Sequence, residues 1–299
     1  MYVPSYLVSA PIPIDKSGKP ILTKFAKGVR RLIEEDCDGI YIFGTSGEGY
    51  AFSDEEFKDI VTAFAAATAN FSGFVQVGCL ALNSTQVLQR CQFCWDQGIR
   101  EAQITLPPWK PLSNQELDLF FDEICGSFPE MKFLLYNNPR NKRKLNGREL
   151  ERAHKRNKNL VAAKTGSGTL MDFHELIMNG KSLQHFVAEP AFLYCSGLTK
   201  VGLIPSSNYF NAQRCREYFQ ATLDKNYREA SALQSEIIQF FMETALPLLE
   251  KNYIDGAIDK AYAKLGGWDL PLTMKKPYAT LNPKDFKWLK EHCFSKSTV

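Results

Sequence analysis

A lysine sits where a core strand should be driest. Residues 160–168 read LVAAKTGSG: small or apolar residues run into Lys164, and a glycine-rich turn follows. Apolar runs of this length build buried strands, and lysine is rarely buried without a partner or a task. An amine beside an apolar wall has its charged form disfavoured, so a neutral nucleophile becomes accessible. A neutral lysine attacks a ketone to give a Schiff base, and the iminium then acts as an electron sink. The competing reading is a lysine that snorkels to the rim or pairs with a carboxylate such as Glu189.

Two further stretches carry reactive groups. GTSGEG (44–49) sets the hydroxyls of Thr45 and Ser46 among glycines, of which Gly44 and Gly47 let a ligand approach the backbone. Such a turn suits a carboxylate, which wants several short donors. It would equally serve as a plain strand-to-helix turn with its hydroxyls tied to local backbone. YNNP (136–139) puts the phenol of Tyr136 ahead of a rigid proline, although strand-end tyrosines are commonly packing residues.

These groups need strands to hold them. Short apolar runs lie at 5–12, 39–44, 74–79, 101–107, 132–137, 160–164, 184–189 and 201–206. Helical patterns separate them, two with the capping-box spacing: Ser53 with Glu56, and Ser113 with Glu116. Eight strands alternating with helices indicate parallel pairing through crossovers. No G-x-G-x-x-G follows the first strand and no G-x-x-x-x-G-K-[ST] occurs, so a nucleotide-binding open sheet loses support. The count of eight favours an α/β fold of the (β/α)8 TIM-barrel type over residues 1–225, with a C-terminal helical extension over 226–299. In such barrels the chemistry gathers at the C-terminal ends of the strands. GTSGEG, YNNP, KTGSG, AEP (188–190) and PSSN (205–208) all fall there.

Composition narrows the partners. The chain has 299 residues, and its net charge of +3 is too small to argue for nucleic acid. It holds no charge-free apolar run long enough to span a bilayer, and its N-terminus lacks the pattern of a secretory signal, so a cytoplasmic location is the expectation. Eight scattered cysteines and four dispersed histidines argue against a metal site and for reduced, mostly buried thiols. The single C-x-x-C, Cys91 and Cys94, lies inside a helical pattern.

Taken in order, GTSGEG, YNNP and the lysine of AAKTGSG resemble the dihydrodipicolinate synthase/N-acetylneuraminate lyase family over roughly residues 5–225. That resemblance implies a class I, pyruvate-dependent aldolase on a barrel. Lys164 would form the imine with pyruvate or another 2-keto acid, Tyr136 would shuttle protons, and Thr45 would relay protons to Tyr136. Ser46, with backbone N–H groups around Gly47, would bind the pyruvyl carboxylate. No metal or organic cofactor is implied, because the covalent imine accepts the electrons, and a homotetramer or homodimer is expected.

The sequence also departs from the family pattern. Synthases of this family carry an arginine two residues after the proline of the tyrosine motif, where this chain has Asn141, with Arg140 adjacent. They carry a relay tyrosine after the fourth strand, near which this chain has Trp109 in ITLPPWKPLS, and indole cannot pass a proton. Both departures count against the synthase reaction, and a lyase for a longer 2-keto acid, such as a sialic acid or a 2-keto-3-deoxy sugar acid, tolerates the missing arginine better. Ser167, Glu189, Ser206 and Ser207 are candidate partners for its hydroxyls. A true synthase, a sugar-acid dehydratase using the same imine, and a keto-acid-binding regulatory barrel are the alternatives. The basic stretch 140–158 reads either as a solvated helix face or as a source of Arg140, Lys142 or Arg143 for an anionic substrate.

Overall fold

The computed structural model describes residues 5–295. Eight strands follow one another as neighbours in a single sheet: β1 (Leu7–Ser9), β2 (Gly39–Ile42), β3 (Phe74–Gly78), β4 (Glu101–Ile104), β5 (Lys132–Tyr136), β6 (Leu160–Thr165), β7 (Gln184–Val187) and β8 (Gly202–Leu203). Pairing from β2 through β8 is parallel throughout. A parallel bridge between Tyr6 and Leu203 brings the two ends of the sheet together, so the strands form a nearly closed barrel. The (β/α)8 class and the eight strand positions expected from the sequence are therefore present. The strands themselves are shorter than the apolar runs. β8 retains two residues of the run 201–206, and Pro205, just beyond it, has no N–H to give a ladder.

Eight helices alternate with the strands: α1 (Leu22–Glu34), α2 (Asp54–Thr68), α3 (Ser84–Asp96), α4 (Asn114–Ser127), α5 (Gly147–Arg156), α6 (Leu170–Asn179), α7 (Glu189–Leu198) and α8 (Ala212–Leu223). Four more follow: α9 (Tyr227–Thr244), α10 (Leu246–Glu250), α11 (Asp255–Leu265) and α12 (Pro283–Ser295). Both expected capping boxes form, at Ser53 with Glu56 and at Ser113 with Glu116. Each satisfies two backbone donors that a helix start otherwise leaves open. Asn146 with Glu149 and Thr169 with Asp172 repeat the device on α5 and α6.

The chain divides into two compact units. One comprises residues 5–7, 38–43 and 71–204, with β2–β8 and α3–α7. Its core is the barrel interior, where Leu7, Tyr41, Leu134, Ala162, Phe186 and Ile204 cluster, with Phe74 and Val161 against them. Large rings are accommodated by glycines on the adjoining strands. A Cβ on Gly39 would stand 2.3 Å from the Phe74 ring, and one on Gly202 would stand 2.3 Å from the Phe186 ring. The second unit comprises residues 8–37, 44–70 and 205–295, with α1, α2 and α8–α12. There Phe25 packs on Phe64 and Phe210 stacks on Phe240.

All eight cysteines are buried and none is in a disulfide. The C-x-x-C lies on the buried face of α3, where Cys94 Sγ meets Cys79 Sγ at 3.8 Å. Among the described residues, no group of three or more His, Cys, Asp or Glu is arranged to hold a metal ion. No helix among them is long and apolar enough to cross a membrane.

Candidate active site

Lys164 owes its position to a bulge. Phe133 of β5 pairs with Leu160 of β6, but Leu134 pairs with Ala162, so Val161 is one residue too many for its partner strand. The extra residue re-phases β6. Ala162 then joins Leu134 in the interior cluster, and Lys164, two residues on, shares that face with Tyr136, its register partner. On the other side Lys164 pairs with Phe186 of β7.

The half-buried amine lies between two phenols. Nζ donates a hydrogen bond of 2.9 Å to the hydroxyl of Tyr41 and stands 4.8 Å from the centre of that ring. It stands 4.3 Å from the ring centre of Tyr136. Both tyrosines are buried, at 3% and 8% exposure. Each ring face attracts a cation, and each phenol can give or accept a proton. The contacts with Tyr41 and Tyr136 seat this lysine at the barrel interior.

Tyr41 was not among the residues singled out from the sequence. The signal lies in GIYIFG, where period-two alternation separates Gly39 and Tyr41 from Ile40 and Ile42. The glycine and tyrosine share one face, and that face is the interior.

The loop after Tyr136 is braced rather than open. Asn137 Nδ2 donates to the Leu145 carbonyl, and its Oδ1 accepts the Leu145 N–H. Asn141, buried at 5% exposure, donates Nδ2 back to the carbonyl of Tyr136 at 3.3 Å. The position that carries an arginine in the synthase pattern thus holds a structural amide. Arg140 is exposed in the short 3-10 turn Pro139–Asn141, its N–H bonded to Asn138 Oδ1.

The basic stretch is largely occupied with its own surroundings. Lys142 donates to the Trp109 carbonyl, and Arg143 donates to Leu112, Asn114 and Glu149. Arg152 and Arg156 pair with Asp118 and Asp122 on α4. The solvated-helix-face reading describes Arg152 and Arg156, whereas Lys142 and Arg143 lie in the loop before α5 and the Arg143 side chain is only 15% exposed. Trp109 is 84% exposed.

Ser167 and Glu189 belong to the same unit. Ser167 is exposed, and its carbonyl accepts Lys144 Nζ at 2.6 Å. Glu189 is buried at 4% exposure as the first residue of α7, where a helix N-terminus favours negative charge.

Thr45, Ser46, Gly47 and Ser206 belong to the second unit. Ser206 is exposed, whereas Ser46 is buried inside a hydroxyl chain. Tyr209 donates its hydroxyl to Ser46 Oγ at 2.8 Å, and Ser9 Oγ lies 2.9 Å from the same atom. Within GTSGEG the left-handed backbone falls on Glu48 (φ 50°), and just before the motif on Phe43 (φ 60°), rather than on Gly44 or Gly47. An αL conformation at a bulky residue costs energy and needs its surroundings to hold it. Glu48 is held by a buried ion pair with Lys260 and by the Lys275 N–H.

The model of the dihydrodipicolinate synthetase family matches residues 5–292. The chain belongs to that family. Its likenesses to individual members are distant. It is 26% identical over 127 residues to a 4-hydroxy-tetrahydrodipicolinate synthase of Synechococcus sp. (strain CC9605), a match covering 42% of each chain. It is 27% identical over 131 residues to an N-acetylneuraminate lyase of Danio rerio, again 42% of each chain. In both, the match spans well under half of the relative's own length. The barrel superimposes on YagE, a prophage protein of the dihydrodipicolinic acid synthase family from E. coli K12 solved in complex with pyruvate. There the TM-score is 0.88 at 16% identity, with 99% of each chain covered. Family membership supports a lyase or aldolase at that coarse level, and relatives of both names leave the specific activity open.

Proposed function

We propose that this family member is a Schiff-base lyase that cleaves, or in reverse forms, a 2-keto acid with pyruvate as one component. The observation that carries the reading is the seat of Lys164, with its amine 2.9 Å from one phenol oxygen and 4.3 Å from the centre of a second phenol ring. The amine adds to the keto carbon and the carbinolamine loses water to give an iminium. A base then removes the proton of the C4 hydroxyl, and the C3–C4 electrons flow into the iminium. An aldehyde leaves, and an enamine remains. Protonation of the enamine and addition of water release pyruvate and free the amine. Tyr136 is the proton shuttle, and Tyr41 holds Nζ and shares its proton. The iminium takes up the electrons, so this chemistry calls for no metal or organic cofactor.

Following the family motif, Ser46 and the backbone N–H groups around Gly47 receive the pyruvyl carboxylate, and Thr45 relays protons. Ser46 accepts from Tyr209, and its one proton is available to the carboxylate when Ser9 is the donor in the Ser9–Ser46 hydrogen bond. Ser167, Glu189, Ser206 and Arg140 are proposed contacts for the remainder of the substrate.

Asn141 favours cleavage of a hydroxylated 2-keto acid over the synthase reaction. Its amide is engaged with the Tyr136 carbonyl at the position where the synthase pattern carries an arginine. A panel of sialic acids and 2-keto-3-deoxy sugar acids, scored by pyruvate release, tests the reading. Release from at least one hydroxylated keto acid is expected, with no ring product from pyruvate and aspartate semialdehyde. Ring product without any cleavage would establish the synthase instead.

A further inference from the structure

Lys260 is wholly buried, and so is its partner. Its Nζ bonds Glu48 Oε1 and also donates to the Thr273 carbonyl at 2.7 Å; both members of the ion pair have 0% side-chain exposure. The other carboxylate oxygen of Glu48 accepts the Lys275 N–H at 2.7 Å. Burial pushes the Lys260 ammonium below its ordinary pKa, and the Glu48 carboxylate opposes that shift. A buried pair of this kind is a poor source of net stability, because desolvating both charges offsets most of their attraction. Its better-attested use is to fix one arrangement of the chain.

Glu48 is the fifth residue of GTSGEG and has a left-handed backbone, φ 50°. Its N–H donates to the Thr45 carbonyl at 3.1 Å. The same helix reaches that carbonyl by a second route. A Cβ added to Gly256 would lie 2.9 Å from Thr45 O, closer than real contacts allow. Gly256 and Lys260 are four residues apart on α11, hence on one face of it. One face of α11 therefore clasps the turn at two points: the Thr45 carbonyl and the Glu48 carboxylate.

We propose that Lys260 and Gly256 are positioning residues that hold the GTSGEG turn in the conformation that receives the substrate carboxylate. The proposal rests on the carboxylate-binding reading of that turn given above. Neither residue touches substrate; both act through the backbone of residues 45–48. A device of this kind affects recognition of the negative charge and leaves the amine chemistry of Lys164 intact.

The test compares two probes of nearly equal size, pyruvate and its uncharged methyl ester, each trapped on Lys164 with borohydride over a range of concentrations. In Lys260→Met the concentration of pyruvate giving half-maximal trapping is expected to rise about tenfold, the equivalent of one charge-assisted hydrogen bond. The value for methyl pyruvate should move less than twofold, and the saturating yield should stay at the wild-type level. Gly256→Ala should show the same selective shift at a smaller size, roughly threefold. Lys260→Arg, which keeps the charge, should recover part of the loss. Equal shifts for both probes, or none for pyruvate, would overturn the positioning role. Should Lys260→Met not fold, Gly256→Ala decides by the same criterion. A wild-type protein that traps both probes at equal concentrations would refute the carboxylate reading itself, and this inference with it.

Discussion

An amine held by one phenol and overlooked by a second can exchange protons in two directions. Tyr41 accepts from Lys164 Nζ, so removing that oxygen unties the proposed nucleophile without opening a cavity. Tyr41→Phe is expected to slow pyruvate release about tenfold, the value of one hydrogen bond to a charged group. Tyr136 carries the larger proposed task. Tyr136→Phe should cost on the order of 10²–10⁴ in turnover, the range of a lost general acid–base. Thermal melts within a few degrees of wild type would accompany both. Single-turnover measurements of pyruvate release check the ranking, and a Tyr41→Phe loss larger than that of Tyr136→Phe would exchange their roles. At this scale the sequence was partly legible. Lys164 and Tyr136 stood out because a charge and a phenol sit at the ends of apolar runs. Tyr41 did not, since an aromatic residue inside a strand looks like core until its neighbours are known. Lys260 was hidden for a related reason: in DGAIDKAYAKL a lysine among alanines resembles an exposed helix position. Only the approach of Glu48, 212 residues away in the chain, reveals it as buried.

Strands place these groups through alternating faces, and small residues opposite large rings keep the faces close. Gly202 lies under the Phe186 ring, and Phe186 is the register partner of Lys164. Gly202→Ala should destabilise the fold by about 1–3 kcal/mol through overpacking. A second change, Phe186→Leu, should recover part of that loss in denaturant melts, and purely additive losses would refute the pairing. β7 also carries a pH dependence. Burial pushes the His185 pKa below its ordinary 6.5, against the opposing pull of its 2.6 Å bond to the Gly180 carbonyl and of the Glu151 charge. Below pH 6.5 the unfolded chain takes up a proton that the folded chain refuses. Stability should therefore fall as pH drops through that window, by at most about 1.4 kcal/mol per pH unit, and this part should vanish in His185→Gln. Urea melts at pH 7.5 and pH 5.5 check it. The elements were the most legible level, because capping boxes and apolar runs are local signals. Strand ends were less so. The bulge at Val161 could not be read, because it depends on where β5 lies.

For the molecule as a whole, order along the chain carried most of the information. Eight apolar runs separated by helical patterns led to the barrel, and three motifs at the ends of its strands led to the family that the match over residues 5–292 establishes. Substrate choice was not legible in the same way. The proposed substrate contacts are scattered along the chain, as with Ser167, Glu189 and Arg140, and each alone reads as ordinary surface or packing. The proposed chemistry nonetheless converges on one atom, the Nζ of Lys164. The most direct test is to incubate the protein with pyruvate and sodium borohydride, digest it and map the adduct by mass spectrometry. A single reduced pyruvyl group on Lys164, absent from Lys164→Arg, is the expected result. No adduct at saturating pyruvate, or an adduct on another lysine that persists in Lys164→Arg, would contradict the Schiff-base mechanism.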